Sequence, residues 1–242
     1  MTSKRLKVKA LLIDLDGTLV DATEALVEAA EYASAAIGFQ HTSPQIGVEI
    51  ARRLQSNLQL NSLLRKNGIA EEKRQKFVTA YLNAFHNLTL KKTKPIPNVH
   101  ATLHTLSKDQ PLALVTRRNT SRKELIKELK RLQFIPYFKA IVTSQDVNQP
   151  QPSPEILLKA AQKLMVPIEK CAVVSDSIVD MQAGKAAGIK TIAVLSGLFN
   201  RKELEKWKPD FIVENINCLP DLLSVFSEKD SDNRNANFAE NW

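Results

Sequence analysis

The stretch KALLIDLDGTLVD, residues 9–21, decides the fold. It begins with a short run that is apolar at nearly every position, which is typical of a strand covered on both faces. The run ends at Asp14, and Asp16 and Gly17 follow. In open α/β sheets, reactive groups lie at the carboxyl ends of the strands. We therefore interpret residues 9–14 as a first strand that delivers two carboxylates to a cleft.

Further apolar runs predict the rest of a sheet. Strands are predicted at residues 112–116, 140–144, 171–176, 191–195 and 211–213. Helices are predicted at residues 98–107, 121–132, 154–165, 178–187 and 217–226. Strands that alternate with helices of this length indicate βαβ units. The predicted fold class is thus α/β, a doubly wound parallel sheet of the Rossmann-like kind with right-handed crossovers.

The alternation of strands and helices is interrupted between Asp21 and Pro95. This segment has apolar residues at helical spacing and no convincing strand. We therefore expect an all-helical domain of residues 21–95, inserted into a core domain of residues 1–20 and 96–228. Residues 229–242 are polar and aperiodic, and we expect them to be disordered.

The composition limits the class of partner. The chain has 34 Lys and Arg against 26 Asp and Glu, a net charge of +8. The basic residues are spread along helical segments such as RKELIKELKRL and are mixed with Glu, which indicates solvated helix faces. Few aromatic residues are interleaved with them, so we do not expect nucleic acid as a partner. A positive surface would still attract a phosphorylated substrate.

The sequence also predicts a location. No apolar stretch approaches the about 20 residues that span a bilayer. The first apolar run is too short for a signal peptide and ends in acidic residues. Cys171 and Cys218 lie far apart without CxxC spacing, so neither a disulfide framework nor a zinc site is expected. We expect a cytoplasmic monomer or homodimer without a membrane partner.

Polar residues follow several of the predicted strands. Asp14 ends the first strand and Asp16 comes just after it, Thr116 ends the next strand, and Asp176 ends a later one, with Asp180 four residues further on. Converging carboxylates repel one another unless a cation lies between them, and Mg²⁺ accepts one or two carboxylates with water and phosphate oxygens. Taken singly, the acidic pair is also compatible with a turn, Thr116 with an ordinary strand end, and Asp176 with a helix cap. Their joint occurrence favours metal-assisted phosphoryl chemistry.

These motifs resemble those of the haloacid dehalogenase superfamily. Its first motif, DxDGT(L/V), is matched by residues 14–21, DLDGTLVD. Its second motif is a Thr or Ser at a strand end, matched by Thr116. Its acidic fourth motif is matched by residues 175–188, SDSIVDMQAGKAAG. The resemblance extends from residue 8 to about residue 225, and the helical insert resembles the cap of the phosphoglycolate phosphatase and β-phosphoglucomutase relatives.

The resemblance implies a role for each matched residue. Asp14 would be the nucleophile and a magnesium ligand, and Asp16 the general acid and base, with its carbonyl offered to the metal. Asp176 would bind Mg²⁺ with Asp180 in support, and Thr116 would hold the phosphoryl group. The family's dehalogenases lack an acid at the position of Asp16, so the resemblance implies a phosphatase that forms an aspartyl-phosphate. The expected substrate is a small phosphorylated metabolite.

The chain departs from the family at the third motif. Relatives carry a Lys at the position of Gln151, in the segment QPQPSPE of residues 149–155. Arg117 or Arg118 could supply the missing charge at the phosphate, since the guanidinium fork suits phosphate. The alternative is a weakly active or non-catalytic relative that binds a phosphorylated ligand or a partner. Mutase chemistry is a third possibility that the sequence leaves open.

Substrate selection is expected in the helical insert. Its candidates for the cleft are polar or basic residues, namely His41, Arg52, Arg53 and Lys66.

Overall fold

The computed structural model describes residues 6–39, 44–56, 60–66, 68–118, 120–149 and 151–223. The strands are β1 (Ala10–Asp14), β2 (Val20–Asp21), β3 (Lys94–Pro95), β4 (Leu112–Thr116), β5 (Ala140–Thr143), β6 (Cys171–Ser175), β7 (Lys190–Val194) and β8 (Phe211–Val213). The helices are α1 (Thr23–Ala36), α2 (Pro44–Gln55), α3 (Leu60–Lys66), α4 (Glu71–Lys92), α5 (Val99–Asp109), α6 (Arg122–Arg131), α7 (Glu155–Leu164), α8 (Ile178–Ala186), α9 (Arg201–Glu205) and α10 (Leu219–Leu222).

The main sheet is parallel, with the strand order β5-β4-β1-β6-β7-β8. Strand β1 lies between β4 and β6, and Leu12 pairs with Ala113 on one side and Val173 on the other. The chain runs from β1 outward to β5 and then returns to β6, so β1 adjoins the topological switch point. The predicted α/β fold with a doubly wound parallel sheet is confirmed, and each predicted strand agrees with the structure to within one residue at either end.

Helices cover the main sheet on both faces, which explains its apolar strands. Leu11 and Ile13 of β1 pack in one buried cluster with Leu103 of α5. Ala10 and Leu12 point to the opposite face and pack in a second cluster with residues of α7. Successive side chains of a strand point to opposite faces. A strand buried on both faces therefore has to be apolar at every position.

Helices α1 to α4 stand between the two short strands β2 and β3 and have a hydrophobic core of their own. Ala29 and Ala33 of α1 are buried in it beside Phe77 and Tyr81 of α4. The small alanine side chains of α1 leave room between the two helices for the aromatic rings of α4. We call α1 to α4 the cap. The domain limits at residues 21 and 95 stay a prediction, and residues 229–242 lie outside the described residues.

Two features differ from the sequence prediction. The two chain passages between core and cap pair as antiparallel strands, with Val20 opposite Pro95, and strands of this length leave no sequence pattern. The helix predicted at residues 217–226 is wrong as a continuous helix. A 3₁₀ turn and α10 fill its first part, Leu223 is extended, and Leu6 N donates to Leu222 O at 2.9 Å; residues 224–226 lie outside the described residues.

The described helices include none that is long and apolar enough to cross a membrane. Cys171 is buried, and both cysteines are free thiols.

Candidate active site

The site forms at the carboxyl edge of the sheet, where β4, β1 and β6 lie side by side. Asp14 is the last residue of β1 and pairs with Val115, directly before the end of β4. Residues that follow parallel neighbouring strands meet at one edge. The sequence-predicted residues that line one common cavity here are Asp14, Asp16, Thr116, Arg117, Arg118 and Asp176.

The chain turns sharply after β1, and this turn aims both carboxylates at the cavity. Gly17 has a φ of 79°, a conformation that glycine adopts without steric cost. Gly17 N donates to Val20 O at 2.8 Å, which closes the turn. Ser196 Oγ donates to Gly17 O at 2.7 Å and holds the turn against the loop after β7. Asp14 and Asp16 consequently face the same cavity although one residue separates them.

Asp14, Asp176 and Asp180 form a cluster of carboxylates at the floor of the site. Burial, together with repulsion from Asp180, Asp176 and Asp16, raises the pKa of Asp14 well above its usual value. Burial and repulsion from Asp180 raise the pKa of Asp176 to about 7. Burial raises the pKa of Asp180 as well, and the charge of Arg117 opposes the shift at all three carboxyls. A cation would stabilise this cluster.

Asp176 sits in a space that only glycines leave free. A Cβ atom added to Gly17 would lie 2.5 Å from Asp176 Oδ2, and one added to Gly197 would lie 1.8 Å from it. Leu198 N donates to that oxygen at 3.2 Å. The other oxygen, Oδ1, is buried and has no hydrogen-bond partner among the described residues. A buried carboxylate oxygen without a partner is unfavourable, and a cation or a hydrogen-bond donor of a ligand would stabilise it.

Asp180 is held by the protein itself. Ser175 Oγ donates to Asp180 Oδ2 at 2.5 Å, and Gln151 Nε2 donates to Asp180 Oδ1. Ser175 Oγ also lies 3.3 Å from Asp14 Oδ2, so it links two carboxylates of the cluster. The structure thus places Gln151 against the cluster, where it supplies a hydrogen bond and no charge. Ser175 thus acts as a hydrogen-bond donor within the cluster.

The donor set fits Mg²⁺. Mg²⁺ is usually bound through one or two carboxylates and keeps several positions for water and phosphate oxygens. Asp14 and Asp176 offer carboxylates of this kind at the cavity, and Asp176 Oδ1 lacks another partner among the described residues. Within the described ranges, no three His, Cys, Asp or Glu side chains form a complete cage for a metal ion. An open site of two carboxylates is the kind that leaves room for a substrate phosphate.

Arg118 binds the predicted acid and base directly. Its Nε and Nη2 donate to the two carboxylate oxygens of Asp16 at 2.7 and 2.5 Å, and its Nη1 donates to Glu128 Oε2. Its guanidinium carbon also lies 5.7 Å from the centre of the Phe85 ring in the cap. Such paired, charge-assisted bonds fix the orientation of a carboxylate. Each of the three guanidinium nitrogens is therefore engaged by a carboxylate, and phosphate binding by Arg118 stays a prediction.

Glu128 corrects the interpretation of α6 as a solvated face. Its side chain is only 1% exposed, because it turns inward to pair with Arg118. Burial raises the pKa of Glu128, while Arg118 opposes that shift. Thr93, between α4 and β3, donates from Oγ1 to Glu128 Oε1 at 2.8 Å. The carboxylate of Asp16 is thus connected through two buried side chains to the passage that leads from the cap back to the core.

Buried hydroxyl groups without partners surround the same cavity. Thr120 Oγ1, Ser177 Oγ and Tyr81 Oη are buried and make no hydrogen bond to any described residue. All three side chains line the cavity. The great majority of buried hydroxyl groups in proteins make a hydrogen bond, so a cluster of exceptions indicates a binding site. Thr116, by contrast, is buried and its Oγ1 already accepts a bond from Arg118 N at 3.3 Å.

The cavity has a volume of about 370 Å³ and is bounded on one side by the cap. Its cap side is made by Leu26 of α1 and by one face of α4. The residues of α4 that line it are Thr79, Tyr81, Leu82, Asn83, Phe85 and His86. Sequence analysis missed this face, because its aromatic residues have the spacing of an ordinary core-facing helix.

The basic cap residues singled out from the sequence lie elsewhere. Arg52 donates to Glu203 of α9, and its guanidinium carbon lies 5.5 Å from the centre of the Phe199 ring. Arg53 Nε donates to Glu49 at 2.7 Å. Lys66 is exposed, and His41 lies outside the described residues. Arg52 thus joins the cap to the core beside the cavity rather than lining it.

The sequence is similar to those of known proteins. A family model described as haloacid dehalogenase-like hydrolase matches residues 11–194. Pyrophosphatase PpaX of Anoxybacillus flavithermus is 28% identical over 223 residues, which are 92% of this chain and 100% of that protein.

Solved structures of known proteins are also similar to this chain. A hydrolase from Pseudomonas syringae superposes with a TM-score of 0.69 at 27% identity, covering 89% of this chain and 100% of that one. A protein described as a predicted phosphoglycolate phosphatase from Haemophilus somnus has a TM-score of 0.74 at 19% identity, covering 89% of this chain and 98% of that one. The last likeness concerns the fold alone.

The ion pairs of Arg118 lead to a prediction about stability. Arg118→Gln leaves the carboxylates of Asp16 and Glu128 buried without their cation, which we expect to lower the free energy of unfolding by about 3–5 kcal/mol. Arg53→Gln removes a half-exposed pair with Glu49 and should cost less than about 1 kcal/mol. Denaturant unfolding curves measure the free energy of unfolding of both variants. Adding Glu128→Gln to Arg118→Gln should restore part of the loss, and a double variant less stable than Arg118→Gln would contradict this account.

Proposed function

Because this chain belongs to the haloacid dehalogenase-like hydrolase family, we propose that it is a magnesium-dependent phosphatase that hydrolyses a small phosphorylated metabolite through an aspartyl-phosphate on Asp14. The observation that carries the proposal is a set of buried polar atoms around one cavity that have no hydrogen-bond partner among the described residues. Besides Tyr81 Oη, these are the carboxylate oxygen Oδ1 of Asp176 and the hydroxyls of Thr120 and Ser177. The oxygen suits a cation, and the hydroxyls suit the oxygens of a phosphoryl group.

Mg²⁺ would be held by Asp14 and Asp176, with the main-chain carbonyl of Asp16 as a further ligand and Asp180 in support. When bound, it neutralises charge on the phosphoryl group. Asp180 already accepts hydrogen bonds from Ser175 and Gln151. Asp180 is therefore better suited to orient the neighbouring side chains than to bind the metal directly during turnover.

In the first step, a carboxylate oxygen of Asp14 attacks phosphorus, and the bond from phosphorus to the leaving oxygen breaks. Asp16 gives that oxygen a proton. In the second step, Asp16 takes a proton from a water molecule, whose oxygen attacks the phosphorus of the aspartyl-phosphate. Inorganic phosphate leaves and the Asp14 carboxylate is restored. Arg118 keeps Asp16 in place for both transfers, since two of its nitrogens bind the two carboxylate oxygens.

Arg117 is the residue that we propose as the replacement for the lysine of the third motif. It lines the cavity, and its positive charge acts on Asp14, Asp176 and Asp180 together. Gln151 contacts Asp180 and carries no charge. Arg118 donates to carboxylates with each of its guanidinium nitrogens, so Arg117 is the better candidate for the phosphate. Thr116, at the end of β4, would bind oxygens of the same phosphoryl group.

The nucleophile is tested by Asp14→Asn. We expect turnover of para-nitrophenyl phosphate with Mg²⁺ to fall to the background rate, because an amide cannot attack phosphorus in this way. Asp109→Asn is the matched control, since Asp109 is exposed at the end of α5, and it should keep wild-type activity. A wild-type rate no higher than that of Asp14→Asn, over several phosphate esters, would contradict the proposed function.

The charge at the phosphate is tested by a double-variant cycle. Arg117→Ala should lower kcat/KM by about a hundred- to a thousandfold, the usual cost of a lost charged donor in such a site. Gln151→Lys should raise the activity of wild type. In the Gln151→Lys background, Arg117→Ala should cost clearly less, because the two cations then share one role. Arg122→Ala, whose side chain is 56% exposed, is the control, and full additivity of the cycle would show that Arg117 does not replace the lysine.

A further inference from the structure

We propose that the group released from the phosphate is an uncharged aromatic or otherwise apolar alcohol or phenol, which binds between Asp16 and the aromatic face of α4. This inference rests on the proposed phosphatase function and names its class of substrate. It follows from what the cap places around the cavity, from where the basic residues of the cap lie, and from one buried hydroxyl that has no hydrogen-bond partner in the described part of the chain.

The inner part of the wall opposite the carboxylates is mainly apolar. Leu26 is 3% exposed and Tyr81 is 2% exposed, so both are inner wall rather than rim. The rings of Tyr81 and Phe85 are stacked, with centroids 6.1 Å apart and planes only 5° apart. An aromatic ring of a ligand can pack favourably against such a ring pair, by its edge or its face. Leu82, which is 51% exposed, continues this surface to the mouth of the cavity.

The cap offers little to a charged leaving group. No Lys or Arg of the described cap residues lines the cavity, and residues 40–43, 57–59 and 67 contain neither Lys nor Arg. Three basic side chains of the cap make contacts elsewhere: Arg52 binds Glu203, Lys73 donates to Ile37 O at 3.2 Å, and Lys92 donates to Glu24 at 2.9 Å. The imidazole of His86 faces Glu124 at 3.2 Å.

The two arginines of the core do not fill this gap. Arg118 is bound by Asp16 and Glu128, and Arg117 acts on the carboxylate cluster where the phosphoryl group would lie. A second phosphate or a carboxylate on the leaving group would therefore be buried against rings and close to Asp16, where the nearest cation, Arg118, is already paired with two carboxylates. Burying a charge in this way is costly. The cavity thus disfavours pyrophosphate and phosphoglycolate and favours a neutral leaving group.

Tyr81 adds a polar contact to this apolar wall. Its hydroxyl is buried, lines the cavity and has no hydrogen-bond partner among the described residues. Burial and the nearby charge of Asp16 raise its pKa, so it stays a neutral donor. A leaving group with one oxygen or nitrogen in reach of this hydroxyl would satisfy it. Tyr81 is therefore placed as a specificity-determining residue.

The experiment compares kcat/KM for phenyl phosphate and para-carboxyphenyl phosphate, which differ by one carboxylate. We expect the uncharged ester to be preferred by about tenfold or more, the usual size of such discrimination in an apolar pocket. Leu82→Arg supplies a cation at the rim and should reduce this preference. An equal or reversed preference in wild type would overturn the inference while leaving a phosphatase. If the protein hydrolyses neither of these esters and no other phosphate ester, the proposed function itself is overturned.

A second comparison separates binding from a structural effect. The ratio of kcat/KM for naphthyl phosphate to that for methyl phosphate should fall about tenfold in Phe85→Ala, since only the large ring uses this wall. A loss of packing around Arg118 would instead lower both values together and leave the ratio unchanged, which would count against the proposal. Tyr32→Ala, at a tyrosine of α1 that is 63% exposed, is the control and should not change the ratio.

Discussion

Three carboxylates, Asp14, Asp176 and Asp180, are gathered in a largely buried space at the end of β1 and β6, and they repel one another there. Much of the surrounding structure serves this arrangement. Gly17 and Gly197 leave the room that the Asp176 carboxylate occupies. Ser175 and Gln151 donate to Asp180, and Arg117 contributes positive charge. What the described protein atoms do not provide is a partner for Asp176 Oδ1, and a divalent cation would be one. The fold fixes the positions of these side chains, since Asp14 ends β1, Asp176 follows β6 and Asp180 lies in the first turn of α8.

A second buried network holds the carboxylate of Asp16, which we propose as the acid and base. Asp16 is bound by Arg118, Arg118 by Glu128, and Glu128 by Thr93. Thr93 precedes β3, one of the two strands through which the cap joins the core. The ring of Phe85 in the cap lies over the same arginine. The position of the cap and the orientation of Asp16 are consequently linked, because Arg118 contacts Asp16, Glu128 and the cap residue Phe85 directly. A ligand that shifts the cap would act on Asp16 through Arg118.

The sequence revealed the core and the carboxylates because both depend on local patterns. Strands buried on both faces have to be apolar throughout, so β1, β4 and β6 could be located to within one residue. Asp14 and Asp176 follow strand ends, and topology alone brings them together. Glu128 could not be found in this way. It lies in a helix full of Lys and Glu, and only the fold shows that Arg118 draws it inward. Tyr81 and Phe85 have the spacing of core residues, and the shape of the cap decides that they also line the cavity.

The central claim is that the carboxylate cluster is completed by Mg²⁺, and thermal unfolding over a Mg²⁺ titration tests it most directly. A ligand that binds only the folded protein raises Tm with its concentration. The account predicts that Tm of the wild-type protein rises with Mg²⁺. It also predicts that Asp176→Asn has a higher Tm than wild type without metal, since one repelling charge is gone, and that it responds little to Mg²⁺. A Tm of the wild-type protein that is insensitive to Mg²⁺, or an equal rise in Asp176→Asn, would contradict it.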